Sequence, residues 1–158
     1  MPITSALSNV ARVAAIVTTG LVAGSVFGIS RGYDFAQYSP AAFLEVHQGA
    51  VRGLNTLLPV LGMVATVLVI VLAVVERHNR RTLVMLIVAA VLLAASGAIT
   101  RLGNQPINDV VMTWTPDTLP SDWEGVRDSW RGFHLMRTVT SVAALATLAA
   151  ALAGASRS

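Results

Sequence analysis

Three groups of polar residues in this chain combine reactive side-chain types with helical spacing. Within each group the intervals are three, four, seven, eight or ten residues, so each group would follow one face of a helix. Imidazole can act as a general base, and amide or guanidinium groups can donate hydrogen bonds to an oxyanion. The groups are His47 with Asn55; Arg101, Asn104 and Asn108; and Arg127, Trp130, His134 and Arg137.

The helices that would carry these groups are predicted by the distribution of charge. Apolar residues make up 54% of the 158 residues and charged residues only 12%, against about 25% in a soluble domain. Residues 13–30, 53–75, 82–100 and 138–156 contain no Asp, Glu, Lys or Arg. Each window has about 18 residues or more, which is enough to cross the hydrocarbon core as a helix. The sequence therefore predicts an all-α membrane protein.

We expect a single domain, a bundle of four transmembrane helices. The predicted spans are residues 10–30, 53–75, 82–101 and 135–155, joined by outer links at 31–52 and 102–131. The turn at 76–81 carries three arginines and is expected to be cytoplasmic by the positive-inside rule. Both termini then lie on the cytoplasmic side, each with an arginine, Arg12 and Arg157. All three polar groups meet at the opposite, outer leaflet.

Composition also narrows the class of protein. All eleven basic residues are Arg in an Ala-rich chain, which favours a bacterial source and the cytoplasmic (inner) membrane. The net charge of only +3 is scattered, so we expect no nucleic-acid partner, and the lipid bilayer is the expected partner. The absence of cysteine excludes disulfides, thiol redox relays and Cys-ligated metals.

Local signals refine the predicted helices. Ser39 followed by Pro40 is typical of a helix start, so the second helix is expected to begin there and run to Val75 with a kink at Pro59. Pro106 lies where it would interrupt an extension of the third helix, and the last helix is expected from about Ser121. Gly20, Gly24 and Gly28 repeat a small-residue spacing, which predicts that they face another helix. That helix belongs either to the same chain or to a second copy in a homo-oligomer.

Two motifs resemble those of a known family. Asn104-Gln105-Pro106-Ile107-Asn108 has the pattern N-x-P-x-N, and residues 130–137 have the pattern W-x-x-x-H-x-x-R. Together they resemble the anthrone oxygenase-like integral membrane proteins, four-helix proteins of about this length. His47-Gln48, Asn55 and Pro59 also fit the second helix of that family. The resemblance covers residues 40–158.

The resemblance implies a membrane-embedded oxygenase-like enzyme that acts on a lipophilic aromatic substrate, anthrone- or polyketide-like. In that hypothesis His134 or His47 is the base, and Asn104, Asn108 and Arg137 are oxyanion donors. Asn55, Arg101 and Trp130 would contact the small molecule. Anthrone-type chemistry requires no cofactor, because the carbanion can reduce O2 directly.

Other functions stay open on the sequence alone. A metal- or haem-binding protein could use His47, His134 and Glu45 for copper or iron, or the two histidines for one haem. A small transporter, such as a drug exporter with four helices per chain, is less favoured. Such exporters usually need a membrane-embedded carboxylate for proton coupling, and the predicted spans have none. A non-catalytic membrane subunit or assembly factor would need no reactive site at all.

Overall fold

The computed structural model describes residues 2–155, and side chains from Ser8 onward, as helices joined by turns. The helices are α1 (Pro2–Gly32), α2 (Pro40–Leu54), α3 (Leu57–Val75), α4 (Arg80–Ile99), α5 (Gln105–Val111) and α6 (Trp123–Ala155). A π-helical segment, Thr100–Asn104, joins α4 to α5. Four stretches are long and apolar enough to cross a membrane: Ser8–Gly32, Leu57–Val75, Arg80–Val111 and Trp123–Ala155. The predicted all-α bundle with four spans is confirmed.

The four long helices form a closed bundle in the order α1, α3, α4, α6, with α6 returning to α1. Small side chains at the centre, including Ala65, Ala89 and Ala144, let the backbones approach closely. Large apolar residues such as Val67, Val91 and Val139 are exposed on the outside, where a bilayer would cover them. At mid-bundle the hydroxyls of Ser96 and Ser141 are 2.8 Å apart, which joins α4 to α6.

The first span and the turn after α3 meet at one end of the bundle, because Arg12 forms an ion pair with Glu76. The extreme residues, including Arg157, lie outside the described residues, so the predicted side of the termini stays a prediction. The other end of the bundle carries α2 and α5, and we call it the α2 end.

The segment that was predicted as one second helix forms two helices, α2 and α3. α2 begins as expected, with the hydroxyl of Ser39 accepting from the Ala42 N–H at 3.3 Å and Pro40 in the first turn. It ends at Leu54, however, and α3 starts at Leu57, so the expectation of a continuous helix kinked at Pro59 is wrong. A proline ring clashes with the carbonyl four residues earlier, here that of Asn55, and the break falls at that position.

The third span continues past the predicted limit at residue 101 and reaches Val111. Pro106 does not end it, because the chain widens into the π-helical segment just before, where the Gln105 N–H bonds to the Thr100 carbonyl. Such π-helical turns are frequent at functional sites. This one buries Asn104 and Asn108 toward the bundle.

The glycines of α1 do not face another helix of the same chain. A Cβ atom built on Gly20, Gly24 or Gly28 would meet nothing within 4 Å. The packed face of α1 instead contains Ala15, Thr19, Val22, Ala23 and Val26. The expectation is therefore wrong within the chain, while contact with a second copy stays a prediction. The start of α6 at Trp123 agrees with the expected start near Ser121.

Candidate functional site

His47 is an isolated imidazole buried in an aromatic cluster at the α2 end. Its side chain is 1% exposed, and its ring centroid lies 5.2 Å from Phe43 and 4.9 Å from Trp130. Both ring nitrogens are buried and have no hydrogen-bond partner among the described residues. Burial lowers the pKa of His47 to about 4; the Asn108 side chain opposes this shift and the charge of Arg137 adds to it. His47 is therefore neutral at pH 7, with a lone pair that no donor from residues 8–155 occupies.

His134, on α6, is buried as well, but both of its nitrogens are occupied. Its Nδ1 accepts from Nε of Arg137 at 3.0 Å and lies 2.8 Å from Nη2 of the same side chain. Its Nε2 lies 2.9 Å from the carbonyl oxygen of Val26 on α1. Because a guanidinium cannot accept and a carbonyl cannot donate, these partners specify the neutral tautomer with the proton on Nε2. The lone pair of His134 is thus not free to take a proton from a substrate.

Arg137 is a buried cation without a carboxylate partner in the described part of the chain. It is 8% exposed, it is hydrogen-bonded to His134, and its guanidinium carbon lies 5.9 Å from the ring centroid of Trp130. Among residues 8–155 its Nη1 has no hydrogen-bond partner. A charge at membrane depth is energetically expensive and usually marks a ligand or ion pathway.

A chain of amides connects three elements behind this site. The indole nitrogen of Trp130 donates to Oδ1 of Asn108 at 2.8 Å, and Nδ2 of Asn108 donates to Oδ1 of Asn55 at 3.1 Å. Asn55 and Gln105 exchange two further hydrogen bonds, at 3.2 and 3.0 Å. The break between α2 and α3 is thereby tied to α5 and α6, which fixes the position of the Trp130 ring.

Trp130 also contacts both histidines. Its ring is stacked on His134 at 4.7 Å with an interplanar angle of 12°, and His47 meets it at 67°. Its backbone carbonyl accepts from Nδ2 of Asn104 at 3.1 Å, while Oδ1 of Asn104 is buried and has no partner within residues 8–155. Asn104 thus helps to hold α6 against the π-helical segment.

Two adjoining cavities open beside these residues. The inner cavity has a volume of about 30 Å³, and its polar lining residues are His47, Asn55, Thr100, Asn108, Trp130 and Arg137. The lipid-facing cavity has about 210 Å³, lies against α3 and α4, and has Arg101, Gln105 and Arg137 in its wall. Leu58, Pro59, Thr100 and Arg137 belong to both walls, and no Asp or Glu of the described residues lines either cavity.

The structure brings most of the predicted site residues together, but not all. His47, Asn55, Asn108, Trp130 and Arg137 line the inner cavity, and His134 holds Arg137 from behind. Of the other two, Arg101 lies in the wall of the lipid-facing cavity, and Asn104 lines neither cavity.

The suggested metal-ligand set is not assembled. Glu45 is exposed on α2, whereas His47 two residues later is buried, because residues two apart on a helix point in different directions. The partners of His134 already occupy both of its nitrogens. Within residues 8–155 no three His, Cys, Asp or Glu side chains form a group that could hold a metal ion.

Several residues that shape the site were given no role in the sequence analysis. Gln105 pairs with Asn55, and its place inside the N-x-P-x-N motif was the available signal. Gln48 donates to the carbonyls of Val111 and Trp114 at 3.0 and 2.9 Å, which ties α2 to the end of α5. Phe35 packs edge-on against Trp130 at 5.5 Å from a turn that has no periodic pattern.

Arg127, the first residue of the α6 stripe, has a structural role outside the cavities. It donates to the carbonyl of Phe35 at 3.4 Å and to Asp128 at 2.9 Å, and it lies over the Trp123 ring at 5.0 Å. It therefore fixes the turn between α1 and α2 against the start of α6, which covers the aromatic cluster.

The comparison with known proteins agrees with the sequence motifs. The model of the anthrone oxygenase family matches residues 49–147. This range contains the amide chain, Trp130, His134 and Arg137, and it begins just after His47. No curated protein and no solved structure matches the chain. Since the match covers more than half of the sequence, the chain belongs to the anthrone oxygenase family.

Proposed function

We propose that this protein is a membrane-embedded oxygenase that uses O2 to oxidise a lipophilic aromatic, anthrone- or polyketide-like substrate at the α2 end of the bundle. One observation carries the proposal. A neutral histidine with two unpartnered nitrogens, His47, and a cation without a carboxylate partner, Arg137, line the same small cavity. A base beside an anion site is the arrangement that carbanion formation needs.

The first step is proton removal. The methylene carbon of an anthrone loses a proton to give an enolate, whose charge lies largely on the carbonyl oxygen. The inner cavity, at about 30 Å³, has room for about two water molecules. We therefore place the fused rings outside it and let His47 take the proton through one water. Arg137 donates to the enolate oxygen, and the nearby negative charge raises the pKa of His47 so that it retains the proton.

The second step is oxygen transfer. The enolate gives one electron to O2, and the carbon radical and superoxide combine to form a C–O bond. The imidazolium of His47 returns its proton to the resulting peroxide. The O–O bond then breaks as the second C–H proton leaves, so that the carbon becomes a carbonyl and the other oxygen departs as water. One O2 is consumed for each quinone and each water formed, and the steps balance without a cofactor.

We also propose an orientation of the bundle in the membrane. The turn at 76–81 is strongly basic, and α1 meets it through the ion pair of Arg12 with Glu76. By the positive-inside rule this end faces the cytoplasm, in the inner membrane of a bacterium. The α2 end with the two cavities then lies in the outer leaflet.

The test is turnover by the purified protein in detergent. Anthrone should be converted to anthraquinone with one O2 consumed for each product, and His47→Phe should return the rate to that of anthrone alone in the same detergent. Phenylalanine preserves the aromatic packing but removes the base. Conversion by His47→Phe at the wild-type rate, or activity that depends on stoichiometric copper or iron in the purified protein, would contradict the proposal.

A further inference from the structure

We infer that the lipid-facing cavity is the binding chamber for the ring system of the substrate, which arrives sideways from the bilayer between α3 and α4. The inference rests on the proposed function for the reaction, but it concerns binding and can be tested without turnover. The occupant is a planar aromatic molecule with a carbonyl or phenolate oxygen directed at Arg137.

The position of the opening supports lateral access. Both walls, α3 and α4, belong to candidate membrane spans, and lining residues on each are exposed: Met63 on α3, and Ala94 and Gly97 on α4. The opening therefore lies within the apolar belt that the bilayer covers. A lipophilic molecule dissolved in the membrane can reach it without crossing water.

The volume of the cavity suits an aromatic ring system. Its volume is about 210 Å³, and an apolar cavity of about 150 Å³ is enough to bind benzene. A Cβ atom on Gly62 or Gly97 would meet nothing within 4 Å, so both glycines leave open space in the cavity wall. Larger residues at these two positions would fill the chamber from its sides.

The charges in the wall define the occupant further. Arg137 lies where this cavity adjoins the inner one, and Arg101 and Gln105 are also in the wall. None of the described lining residues is acidic. An acyl chain offers nothing to a guanidinium, whereas a carbonyl that becomes an enolate does. The larger cavity between α3 and α4 near Arg77, about 530 Å³, is otherwise lined by apolar residues such as Ile70, Val74 and Ile87. Arg77 is exposed, whereas Arg137 is buried where the other two cavities adjoin, so only Arg137 is held in place to orient a ring.

The binding test uses 9,10-anthraquinone and quenching of tryptophan fluorescence in detergent. Gly97→Leu and Gly62→Leu should weaken binding about tenfold or more, because leucine occupies the space of the rings. Gly154→Leu is the matched control, since its glycine also lies in a span with open space around it but lines neither cavity. Wild-type affinity in both cavity variants, an equal loss in Gly154→Leu, or no binding by the wild-type protein overturns the inference.

Two further measurements separate this inference from its alternatives. His47→Phe should bind anthraquinone like the wild type, so absent turnover with intact binding counts against the proposed reaction alone. Ala94→Cys supplies a single thiol at the opening, because the chain has no cysteine. It should react with pyrene maleimide, resist a charged thiol reagent, and be protected by anthraquinone. Equal reaction with the charged reagent, or no protection, contradicts lateral access to an anthraquinone site.

Discussion

Arg137 directs two of its guanidinium nitrogens at a single atom, Nδ1 of His134, at 3.0 and 2.8 Å. This relationship divides the roles of the two buried histidines. His134 uses its lone pair to hold the cation in the wall shared by the two cavities, and His47 is left as the imidazole with free nitrogens. In the proposed mechanism His134 is therefore a positioning residue and His47 is the base.

His134→Gln and His134→Leu should differ in activity. Glutamine can still accept from Arg137 through its side-chain oxygen, whereas leucine leaves the guanidinium without its acceptor. We expect His134→Leu to lose anthraquinone binding and turnover together, and His134→Gln to recover a substantial part of both. Binding isotherms and initial rates measure this difference. Equal loss in the two variants, at equal thermal stability, would show that the contact with Arg137 is not what matters.

His47 should make the stability of the protein depend on pH. The pKa of His47 is about 4 in the folded protein and about 6.5 when unfolded. Between these values the unfolded chain binds a proton that the folded protein does not, so stability falls as the pH is lowered from about 6.5 toward 4. Above pH 6.5 both states are neutral and the full stability is retained.

The measurement is the midpoint of thermal unfolding in detergent at pH 7 and pH 5. The unfolding midpoint of the wild-type protein should fall more from pH 7 to pH 5 than that of His47→Phe, because the variant has no imidazole to protonate at this position. Both proteins contain the same carboxylates, so the contribution of these groups cancels when the two midpoints are compared. An equal loss in both would mean that His47 titrates normally and is hydrated.

The helical spacing in the sequence was enough to group the polar residues, but not to assign their roles. Apolar runs predict the four spans, and helical periodicity predicts the stripe of polar residues on α6. Together they were enough to predict that Asn108, Trp130 and Arg137 lie close together. The freedom of His47 could not be predicted, because it depends on Arg137 bonding to His134 rather than to His47. Nor could the π-helical segment, since only the surrounding packing shows how the chain accommodates Pro106.

Gly103 should not tolerate even a methyl group. A Cβ atom there would lie 2.5 Å from the ring of Phe133, so Gly103→Ala must push α6 away from the π-helical segment or rotate the ring. We expect a lower unfolding temperature, with recovery in the double variant Gly103→Ala with Phe133→Ala. Gly97→Ala is the control, because its Cβ meets nothing within 4 Å. Stability of Gly103→Ala equal to that of the control would disprove the close contact.

The membrane orientation can be measured with single cysteines. His78 and Asp117 are exposed in turns at opposite ends of the bundle. In intact cells an impermeant thiol reagent should label Asp117→Cys and leave His78→Cys unlabelled until the cells are permeabilised. The reverse pattern would place the two cavities in the cytoplasmic leaflet and contradict the orientation proposed from loop charge.

The most direct test of the base and anion site is an absorbance titration with anthrone in the absence of O2. Without oxygen the reaction stops at the enolate, and the wild-type protein should accumulate the spectrum of the bound enolate up to one equivalent. Arg137→Gln and His47→Phe should not, because the first lacks the cation and the second the base, while His78→Ala should match the wild type. Enolate formation by His47→Phe and Arg137→Gln at the wild-type level would contradict the account.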